Sequence, residues 1–567
     1  MRCKYLVFIL FFSFFHSKIH SQQWFHKPHW QYASKAVCDG EIEALDMIAD
    51  NAGRQWLTGF YVGNANFNGI QLQNKSTQLY YDIFLAINEN GIWKQVKSFG
   101  GESAEIGRSL AKDSAGNIYL LSTFFSDSIR IESKTFYNKS NTGDILLMKF
   151  KPNGSLIWAK QFGGDGWDEG YSMVIDSDNH IWIGGDFNSR QLNLDNYTLS
   201  ISDTFGNSDA FLFQMDTSGN VLWAKSYYSG FNETLWKLSA LPSGKIVAAF
   251  VSDGYEVYIP PFFITNFNSE NFLAVISSSG ITEWAKAIET TGTCDIATNK
   301  KGDIIFNSPF FPDSINVDGK TIHSRLDIGW KGTNLFASFH EDGSLNWVRT
   351  NFSDYYLNYT RLFCPDTNTI MIYGNPQGDL GSQIAVGDSI FHHDHIFYFA
   401  KASVTDGHMI WRAENDNSNY STESLAACIN PDGNFSIAGA INLPGNIKFG
   451  DYSVGYNNND KLYMMYLAKF NDSMYRIPPI DSPKVNLPAY TVYPNPVKNE
   501  CNIIVNDSAE TWHFSIYSSD GKNLLNHILH IGLNTFSFDE FEEGVYFSVI
   551  NDDEKNNKFH QKILKIK

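Results

Sequence analysis

Seven tryptophans recur along this chain of 567 residues at an almost constant interval. Successive members of the series are 61 to 65 residues apart. Their positions are Trp30, Trp93, Trp158, Trp223, Trp284, Trp347 and Trp411. Regular recurrence of one large residue is typical of a chain built from similar structural units that pack against their neighbours. This repeat constrains the fold of residues 22–470 more than any other feature.

Each repeat has the pattern of two β-hairpins. Before most of the tryptophans an alternating apolar run leads into a turn such as Asn90-Gly91 or Asp342-Gly343, which is typical of a hairpin. A second pair of runs follows, as in Ser109–Tyr119. Four-stranded units repeated radially are the blades of a β-propeller. We therefore predict an all-β fold, a seven-bladed propeller in which each tryptophan packs between neighbouring sheets.

The two ends of the repeat region are complementary. The last unit ends with the run Leu462–Phe470 and has no fourth strand after it, whereas Trp30 lies in a fourth-strand segment with no first three strands before it. The N-terminal strand is therefore predicted to complete the last blade. Within each unit the links between strands one and two and between strands three and four are tight turns. The link between strands two and three is long, so we expect these inserts to lie together on one face.

Short motifs in the repeats resemble those of the SBBP family of β-propeller repeats. They are Gly100-Gly101, Gly163-Gly164, Asp113–Tyr119 and Asp209–Phe211. The resemblance implies a propeller fold and a role in extracellular or surface recognition. It implies no reaction.

The first 21 residues have the layout of a secretory signal peptide. Arg2 and Lys4 precede an apolar run over residues 6–15, and a polar tail follows. That run is about half of the roughly 20 residues needed to span a bilayer, so we expect no transmembrane segment. Cleavage is predicted between Ser21 and Gln22.

The composition changes after residue 470. Residues 471–489 hold four prolines and are predicted to form a linker. Residues 490–567 resemble the type A C-terminal sorting domain of the type IX secretion system of Bacteroidetes. The motifs are Tyr493-Pro494-Asn495-Pro496, Ile516–Lys522, Gly544-Val545-Tyr546-Phe547 and the lysine-rich end Lys562–Lys567. The resemblance implies handling by the type IX machinery, removal of this domain, and a mature protein that is extracellular or attached to the outer-membrane surface.

Charge and motif content argue against several classes of protein. The chain has 43 Lys and Arg against 61 Asp and Glu, a formal net charge of −18, and no clustered basic run. This balance opposes binding to nucleic acid or to an anionic membrane. No G-x-S-x-G, H-E-x-x-H, Walker or dinucleotide motif is present, nor the vicinal cysteine pair expected of a quinone-dependent dehydrogenase. We therefore predict neither enzymatic activity nor a cofactor.

Metal-binding candidates are few. His393 and His395 alternate along one predicted strand and could face one metal ion. Asp176–Asn179 resembles part of a calcium loop but lacks the downstream Glu and the Gly of an EF-hand. A solvated hairpin and an ordinary turn are the favoured interpretations of these two segments. The five widely spaced cysteines of the mature chain are predicted to be small buried side chains rather than a disulfide framework.

The long inserts carry the candidate ligand-binding residues. These are Tyr255, Tyr258, Phe262, Phe263, Phe267 and His323. Loops on a rigid scaffold commonly serve recognition, and exposed rings stack on sugars or contact protein partners. The alternative is that Phe262 and Phe263 only fix their own loop. We expect a recognition or scaffold module for a surface glycan or protein.

A surface enzyme acting on polysaccharide, with its site in the insert loops, is the alternative function. Propellers host hydrolases and lyases as well as binding proteins, so the fold does not decide between them. The discriminating feature would be paired carboxylates, or a set of Tyr, His and Arg side chains, that converge on the central axis.

Overall fold

The computed structural model describes residues 29–565 with internal gaps. The gaps are 139, 141, 203–205, 255, 266–269, 325–331, 354–358, 376–382, 387–388, 393–397, 415–425, 442–445, 456–462, 472–489, 494–499, 506–511, 520, 530–531 and 553–557. The predicted signal peptide, with its cleavage point at Ser21 and Gln22, lies outside the described residues. The chain divides into two compact units, residues 1–475 and residues 476–567.

The larger unit consists of small antiparallel sheets, and its described residues contain no helix. The all-β prediction is therefore confirmed. Seven sheets, which we number in chain order, each contain four consecutively paired strands. The strands are, in sheet 1, Ile42–Ala49, Gln55–Tyr61, Asp82–Glu89 and Ile92–Phe99; in sheet 2, Glu105–Lys112, Ile118–Phe124, Asp144–Phe150 and Leu156–Phe162; in sheet 3, Asp168–Ile175, Ile181–Phe187, Asp209–Met215 and Val221–Tyr227; in sheet 4, Glu233–Ala240, Ile246–Ser252, Asn271–Ile276 and Thr282–Ile288; in sheet 5, Asp295–Thr298, Ile304–Phe310, Gly332–Phe339 and Leu345–Ser353; in sheet 6, Tyr359–Phe363, Thr369–Asn375, Tyr398–Ser403 and Met409–Glu414; and in sheet 7, Ala426–Ile429, Phe435–Ile441, Tyr463–Asn471 and His29–Cys38.

The seven sheets follow one another around a closed ring. The first strand of each sheet contacts the first strand of the next, and the first strand of sheet 7 contacts that of sheet 1. The N-terminal strand His29–Cys38 is the fourth strand of sheet 7. It pairs antiparallel with Tyr463–Asn471 along its whole length, with one bulge after Trp30. The first strands therefore line the inside of the ring, and the fourth strands lie at its outer edge.

The recurring tryptophans pack between neighbouring sheets. Trp284 Nε1 donates a hydrogen bond of 2.8 Å to the carbonyl oxygen of Glu341, in the turn between the third and fourth strands of the next sheet. Gly343 in that turn has φ +85°, and a Cβ there would lie 2.9 Å from the Trp284 ring. The turn therefore requires glycine both for its backbone conformation and for its approach to the indole. Trp223 and Gly280 repeat this contact.

Each long insert contains a two-stranded hairpin. In chain order the hairpins are Asn64–Phe67 with Ile70–Gln73, Ser128–Ile131 with Lys134–Tyr137, Gln191–Leu194 with Tyr197–Ser200, Glu256–Ile259 with Phe262–Thr265, Ser314–Val317 with Lys320–His323, Gln383–Val386 with Ser389–His392, and Asn446–Phe449 with Tyr452–Gly455. They lie beside the fourth strand of the preceding sheet: Val37 of sheet 7 pairs with Asn66, and Asn351 of sheet 5 pairs with Val386. Both contacts involve the last residues of a fourth strand, which runs in the same direction as the second strand, so these hairpins lie at the outer edge and towards the end of the sheets from which the inserts leave. This position agrees with the expected common face. The alternating apolar side chains of the hairpins, such as Ile129, are buried where two sheets meet at the outer edge.

Three cysteines belong to the interior of the ring unit. Cys38, Cys294 and Cys428 are buried and carry no disulfide. Burial raises the pKa of the Cys38 thiol to about 11. These three side chains therefore behave as the small buried groups that the sequence predicts.

The smaller unit contains two antiparallel sheets. One has the order Tyr490–Tyr493, Glu500–Val505, Gly532–Ser537, and the other has the order Asn523–Leu529, Trp512–Tyr517, Gly544–Asp552, Lys558–Lys565. The rings of Phe514 and Phe536, one from each sheet, have centroids 4.9 Å apart. Within the predicted sorting motif, Tyr493 ends a strand, and Gly544 and Val545 begin one. Tyr546, which follows them, is buried. Pro494, Asn495 and Pro496 lie outside the described residues.

Candidate functional site

A β-bulge recurs in the first strand of sheets 1 to 4. In each of these strands the pairing with the second strand skips one residue, and the four skipped residues are Leu45, Arg108, Tyr171 and Trp236. A bulge leaves its extra residue unpaired and redirects that side chain. The guanidinium of Arg361, from sheet 6, lies 3.3 Å from the carbonyl oxygen of Leu45, past the intervening sheet 7. The bulged positions therefore face the interior of the ring.

Three of these side chains form a stack that crosses three sheets. The Arg108 guanidinium carbon lies 5.1 Å from the centroid of the Tyr171 ring, and the centroids of Tyr171 and Trp236 are 5.3 Å apart. These distances are those of a cation–π contact and of an aromatic pair. Arg108 also lies 2.7 Å from the carboxylate of Glu169, and the two side chains are 24% and 12% exposed. Solvent therefore reaches this group of charges and rings.

Asp186 supplies a second carboxylate. Its Oδ2 accepts hydrogen bonds of 3.3 Å from the hydroxyls of Ser208 and Thr234. Burial, reinforced by repulsion from Glu169, raises the pKa of Asp186 to about 7. Burial also raises the pKa of Tyr171, whose phenol is hydrogen-bonded to Asp186. Near neutral pH the tyrosine is therefore a neutral hydroxyl, and a substantial fraction of Asp186 carries a proton. We call Arg108, Glu169, Tyr171, Asp186 and Trp236 the axial cluster.

Exposed aromatic rings lie in the links that lead into the first strands of sheets 3 and 4. Trp167 precedes the first strand of sheet 3, is 52% exposed, and has its ring centroid 5.2 Å from that of Phe125. Phe231 lies in the corresponding link before sheet 4 and is also exposed. Trp167 immediately precedes the strand Asp168–Ile175, which contains Glu169 and Tyr171. Trp167 therefore lies at the N-terminal end of the strand that contributes two residues of the axial cluster.

A groove lies at the outer edge, between the hairpins of sheets 2 and 3. Its volume is about 820 Å³, and Tyr137, Gln161 and Arg190 are among the residues that line it. In this groove Arg190 Nε lies 2.6 Å from Asp165 Oδ2. The Gln161 amide donates to the Tyr137 carbonyl oxygen at 2.8 Å. Two carboxylates, those of Asp144 and Asp165, line the groove, and Asp144 Oδ2 accepts a hydrogen bond of 2.6 Å from the Gln161 amide.

The described insert residues that were predicted to bind ligand belong to two different hairpins. Tyr258 and Phe263 are cross-strand partners in the hairpin of sheet 4, where Phe263 is 61% exposed and Phe262 is partly buried. The Tyr258 ring lies against that of Tyr228, with centroids 5.3 Å apart. His323 is exposed at the end of a different hairpin, in sheet 5. Four predicted residues lie outside the described part of the chain: Tyr255, Phe267, His393 and His395.

The side chain of Asp176 organises a turn. Its Oδ1 accepts hydrogen bonds from the backbone N–H groups of Asp178 and His180, and its Oδ2 accepts one from Trp182 Nε1. Asp113 makes the equivalent bonds one repeat earlier. These bonds support the turn interpretation of Asp176–Asn179. Among the residues described, no group of three His, Cys, Asp or Glu side chains is arranged to hold a metal ion.

The sequence analysis did not identify the axial cluster, although a signal for it exists. Arg108, Tyr171 and Trp236 each stand three residues after the acidic residue that begins the first strand of their sheet. If the repeats were aligned on these acidic residues, Arg108, Tyr171 and Trp236 would occupy the same position. The residue type varies at that position, whereas the residues on either side of it stay similar. A variable large residue in the innermost strand of a radial repeat indicates a site on the axis.

Comparison with protein families identifies the C-terminal region. Residues 491–566 match the family described as the secretion system C-terminal sorting domain. The chain therefore ends in a sorting domain of type IX secretion, as its motifs predict. No curated protein matches this chain in sequence. None of the described segments forms a helix long and apolar enough to cross a membrane.

Several solved structures show a distant likeness. One is the intramolecular trans-sialidase from Ruminococcus gnavus, at 9% identity and TM-score 0.33, with 78% of this chain and 97% of that chain covered. Another is a fungal alcohol oxidase in complex with copper, at 10% identity and TM-score 0.37, with 96% and 100% covered. A third is PorZ, a surface component of the type-IX secretion system of Porphyromonas gingivalis, at 10% identity and TM-score 0.15, with 96% and 100% covered. At these TM-scores the likeness carries no argument about activity.

Proposed function

We propose that this chain is an exported recognition protein, and that its ligand binds at the axial cluster. The observation that carries this proposal is the convergence of Arg108, Tyr171 and Trp236 with two carboxylates on the interior of the ring. Binding sites typically combine apolar or aromatic walls with a few convergent polar groups. A bulge in each contributing strand turns these side chains inward instead of leaving them in regular pairing.

The scaffold of this proposal is a seven-bladed propeller spanning residues 22–470. The order of the strands and the closed series of contacts between first strands support the count of seven blades. A linker over 471–489 and a β-sandwich over 490–567 complete the proposed organisation. The division into compact units at residue 475, and the contact between Phe514 and Phe536, support these boundaries. Membership of the repeats in the SBBP family stays a prediction.

Two targeting segments determine the proposed location of the protein. A signal peptide over residues 1–21 would direct the chain out of the cytoplasm, and the sorting domain at 491–566 implies handling by the type IX machinery. We therefore place the mature protein outside the cell or on the outer-membrane surface. A ligand-binding propeller there would meet glycans and proteins of the surroundings.

A surface enzyme acting on polysaccharide is the second candidate, and Asp186 favours it. A carboxyl group with a pKa of about 7 suits a general acid near neutral pH, and Glu169 supplies a second carboxylate close to it. In this candidate the reaction takes place at the axial cluster rather than in the insert loops. The raised pKa of Tyr171 does not suit a tyrosine nucleophile.

Three measurements test the proposal. Intact mass spectrometry of surface material should give a chain that begins at Gln22 and lacks most of 490–567; full recovery of the Lys567 peptide would contradict the export part.

Purified full-length protein should bind components of a screen of immobilised glycans and outer-membrane proteins, and Glu169→Gln should weaken that binding without lowering the melting temperature. Release of reducing ends from polysaccharide that is lost in Asp186→Asn would favour the enzyme instead.

A further inference from the structure

We propose that the axial cluster binds a neutral saccharide, with one sugar ring among Arg108, Glu169 and Asp186 and the preceding part of the glycan stacked on Trp167. This inference rests on the proposed recognition function and names the ligand class. It also names the side from which the ligand enters.

The polar groups of the cluster match the hydrogen-bonding needs of sugar hydroxyls. A hydroxyl donates one hydrogen bond and accepts others, so a site that binds several of them must offer both roles. Glu169 and Asp186 supply acceptor oxygens, and Arg108 supplies N–H donors. The hydroxyls of Ser208 and Thr234, which bond to Asp186 at 3.3 Å, serve either role. Three sheets bring these complementary groups to one place.

The charge of the cluster favours a neutral ligand. Arg108 and Glu169 lie 2.7 Å apart and cancel each other's charge. Asp186, with a pKa of about 7, adds only part of a negative charge near neutral pH. No unpaired cation among the five residues of the cluster is available for a sulfate, phosphate or carboxylate group. The net charge of −18 on the whole chain also repels polyanions.

The aromatic rings supply the apolar part of the site. Sugar rings present faces of C–H groups, which pack well against the flat face of an indole or phenol. Trp167 is half exposed, and its contact with Phe125 at 5.2 Å orients the ring before any ligand arrives. A pre-oriented ring loses little conformational freedom on binding. Four residues separate Trp167 from Tyr171, a distance of at most roughly 13 Å along an extended chain, which a glycan longer than one sugar can span.

The test uses the full-length chain and an array of neutral and acidic oligosaccharides. The neutral set consists of glucan, xylan and mannan fragments, and the acidic set consists of sialylated, uronic-acid and sulfated glycans. We expect binding to members of the neutral set. In calorimetric titration with the strongest of them, Trp167→Ala and Glu169→Gln should each raise the Kd at least about tenfold, with unchanged melting temperatures. Tyr137→Ala, which removes an exposed ring at the outer edge, should leave the Kd unchanged.

The outcomes separate this inference from the function on which it rests. Binding confined to acidic glycans overturns the neutral class. Neutral binding that survives Trp167→Ala and Glu169→Gln but is lost in Tyr137→Ala overturns the location. In both cases recognition at the surface stands. If the protein binds no saccharide but captures an outer-membrane protein in a Glu169-dependent manner, only the saccharide inference is overturned. If it binds nothing in either screen, the recognition function is overturned as well.

Discussion

Trp30 lies directly opposite Phe470 where the N-terminal strand meets the last strand of the ring unit, and their ring centroids are 5.0 Å apart. Trp30 also contacts Phe449 of the adjacent hairpin and Phe399 of sheet 6, at 4.8 and 6.4 Å. One buried side chain thus connects the N-terminal strand to sheets 6 and 7, the last two sheets of the ring unit. The ring is closed by the antiparallel pairing of these two strands, and the Trp30 contacts add to it.

Replacement of Trp30 by alanine should therefore destabilise the ring unit strongly. We expect the free energy of unfolding to fall by about 3–5 kcal/mol, the usual cost of removing a buried aromatic side chain. Urea denaturation followed by circular dichroism measures this change. Tyr137→Ala, at a ring that is 67% exposed, is the control and should stay within about 0.5 kcal/mol of the wild type. Equal midpoints for wild type and Trp30→Ala would contradict the stabilising role of the closure.

Asp168 gives the ring unit a predicted dependence on pH. Burial, together with repulsion from Asp144, raises the pKa of Asp168 to about 7, and burial raises the pKa of Glu105 and Glu233 at the equivalent places to about 7. A raised pKa means that the folded state holds the proton more tightly than the unfolded chain. The contribution of these groups to stability is therefore fully present below about pH 4 and declines as the pH rises to about 7.

The substitution Asp168→Asn should reduce this dependence. Asp168 Oδ2 accepts hydrogen bonds from the Gly164 N–H and the Ser189 hydroxyl, an arrangement that an amide oxygen can keep. We expect a gain on the order of 2 kcal/mol at pH 8 and little change at about pH 4, measured by urea denaturation at both values. Asp165→Asn, at an exposed position of the same link, should show no such gain. A variant that is less stable than wild type at pH 8 would show that the charged form is the favoured one.

The sequence predicted those parts of the fold that depend on local signals. The spacing of the tryptophans and the glycines of the turns identify the repeated four-stranded unit, because hairpin turns require particular residues at particular places. The unpaired ends of the repeat region predicted the pairing of the segment around Trp30 with the last strand. The sorting domain was predicted for the same reason, since motifs such as Gly544-Val545-Tyr546 are contiguous in the chain.

The axial cluster and the position of the hairpins depend on tertiary contacts. Arg108 and Tyr171 meet only because a bulge in each strand turns them inward, and a bulge is not evident from alternation in one strand. The hairpin residue Ile129 is buried where sheets 1 and 2 meet, so the alternation of apolar residues within the hairpin does not reveal which surfaces cover it. Both features require knowledge of which segments become neighbours.

The turn organised by Asp176 should matter for stability independently of any metal ion. Asp176→Ala removes the acceptor for the Asp178 and His180 N–H groups and for the Trp182 indole, so we expect a loss of roughly 2 kcal/mol or more. Asp178→Ala, at an exposed position of the same turn, should change the stability by less than about 0.5 kcal/mol. Because the oxygens of Asp176 are engaged within the turn, EDTA should leave the melting temperature unchanged. A lower melting temperature in EDTA would indicate a structural cation.

Gly185 is the residue that permits the bulge at Tyr171. A Cβ at Gly185 would lie 1.8 Å from the carbonyl oxygen of Glu169, and Gly59 makes the same approach, at 1.9 Å, to the carbonyl oxygen of Glu43 in sheet 1. Alanine at either position must displace the first strand, so each variant should lose about 1–3 kcal/mol of stability or more. Gly230→Ala, where a Cβ meets nothing within 4 Å, is the control for the substitution itself.

The two destabilising variants differ in their expected effect on the ligand site. In the wild type the Glu169 carboxylate lies 2.7 Å from Arg108. Gly185→Ala should displace Glu169, separate it from Arg108 and weaken saccharide binding. Gly59→Ala strains the first strand of sheet 1, which contributes none of the five cluster residues, and should leave the Kd close to that of the wild type. Calorimetric titration at a temperature where both variants remain folded makes this comparison. Equal weakening in both variants would mean that binding follows overall stability rather than the position of Glu169.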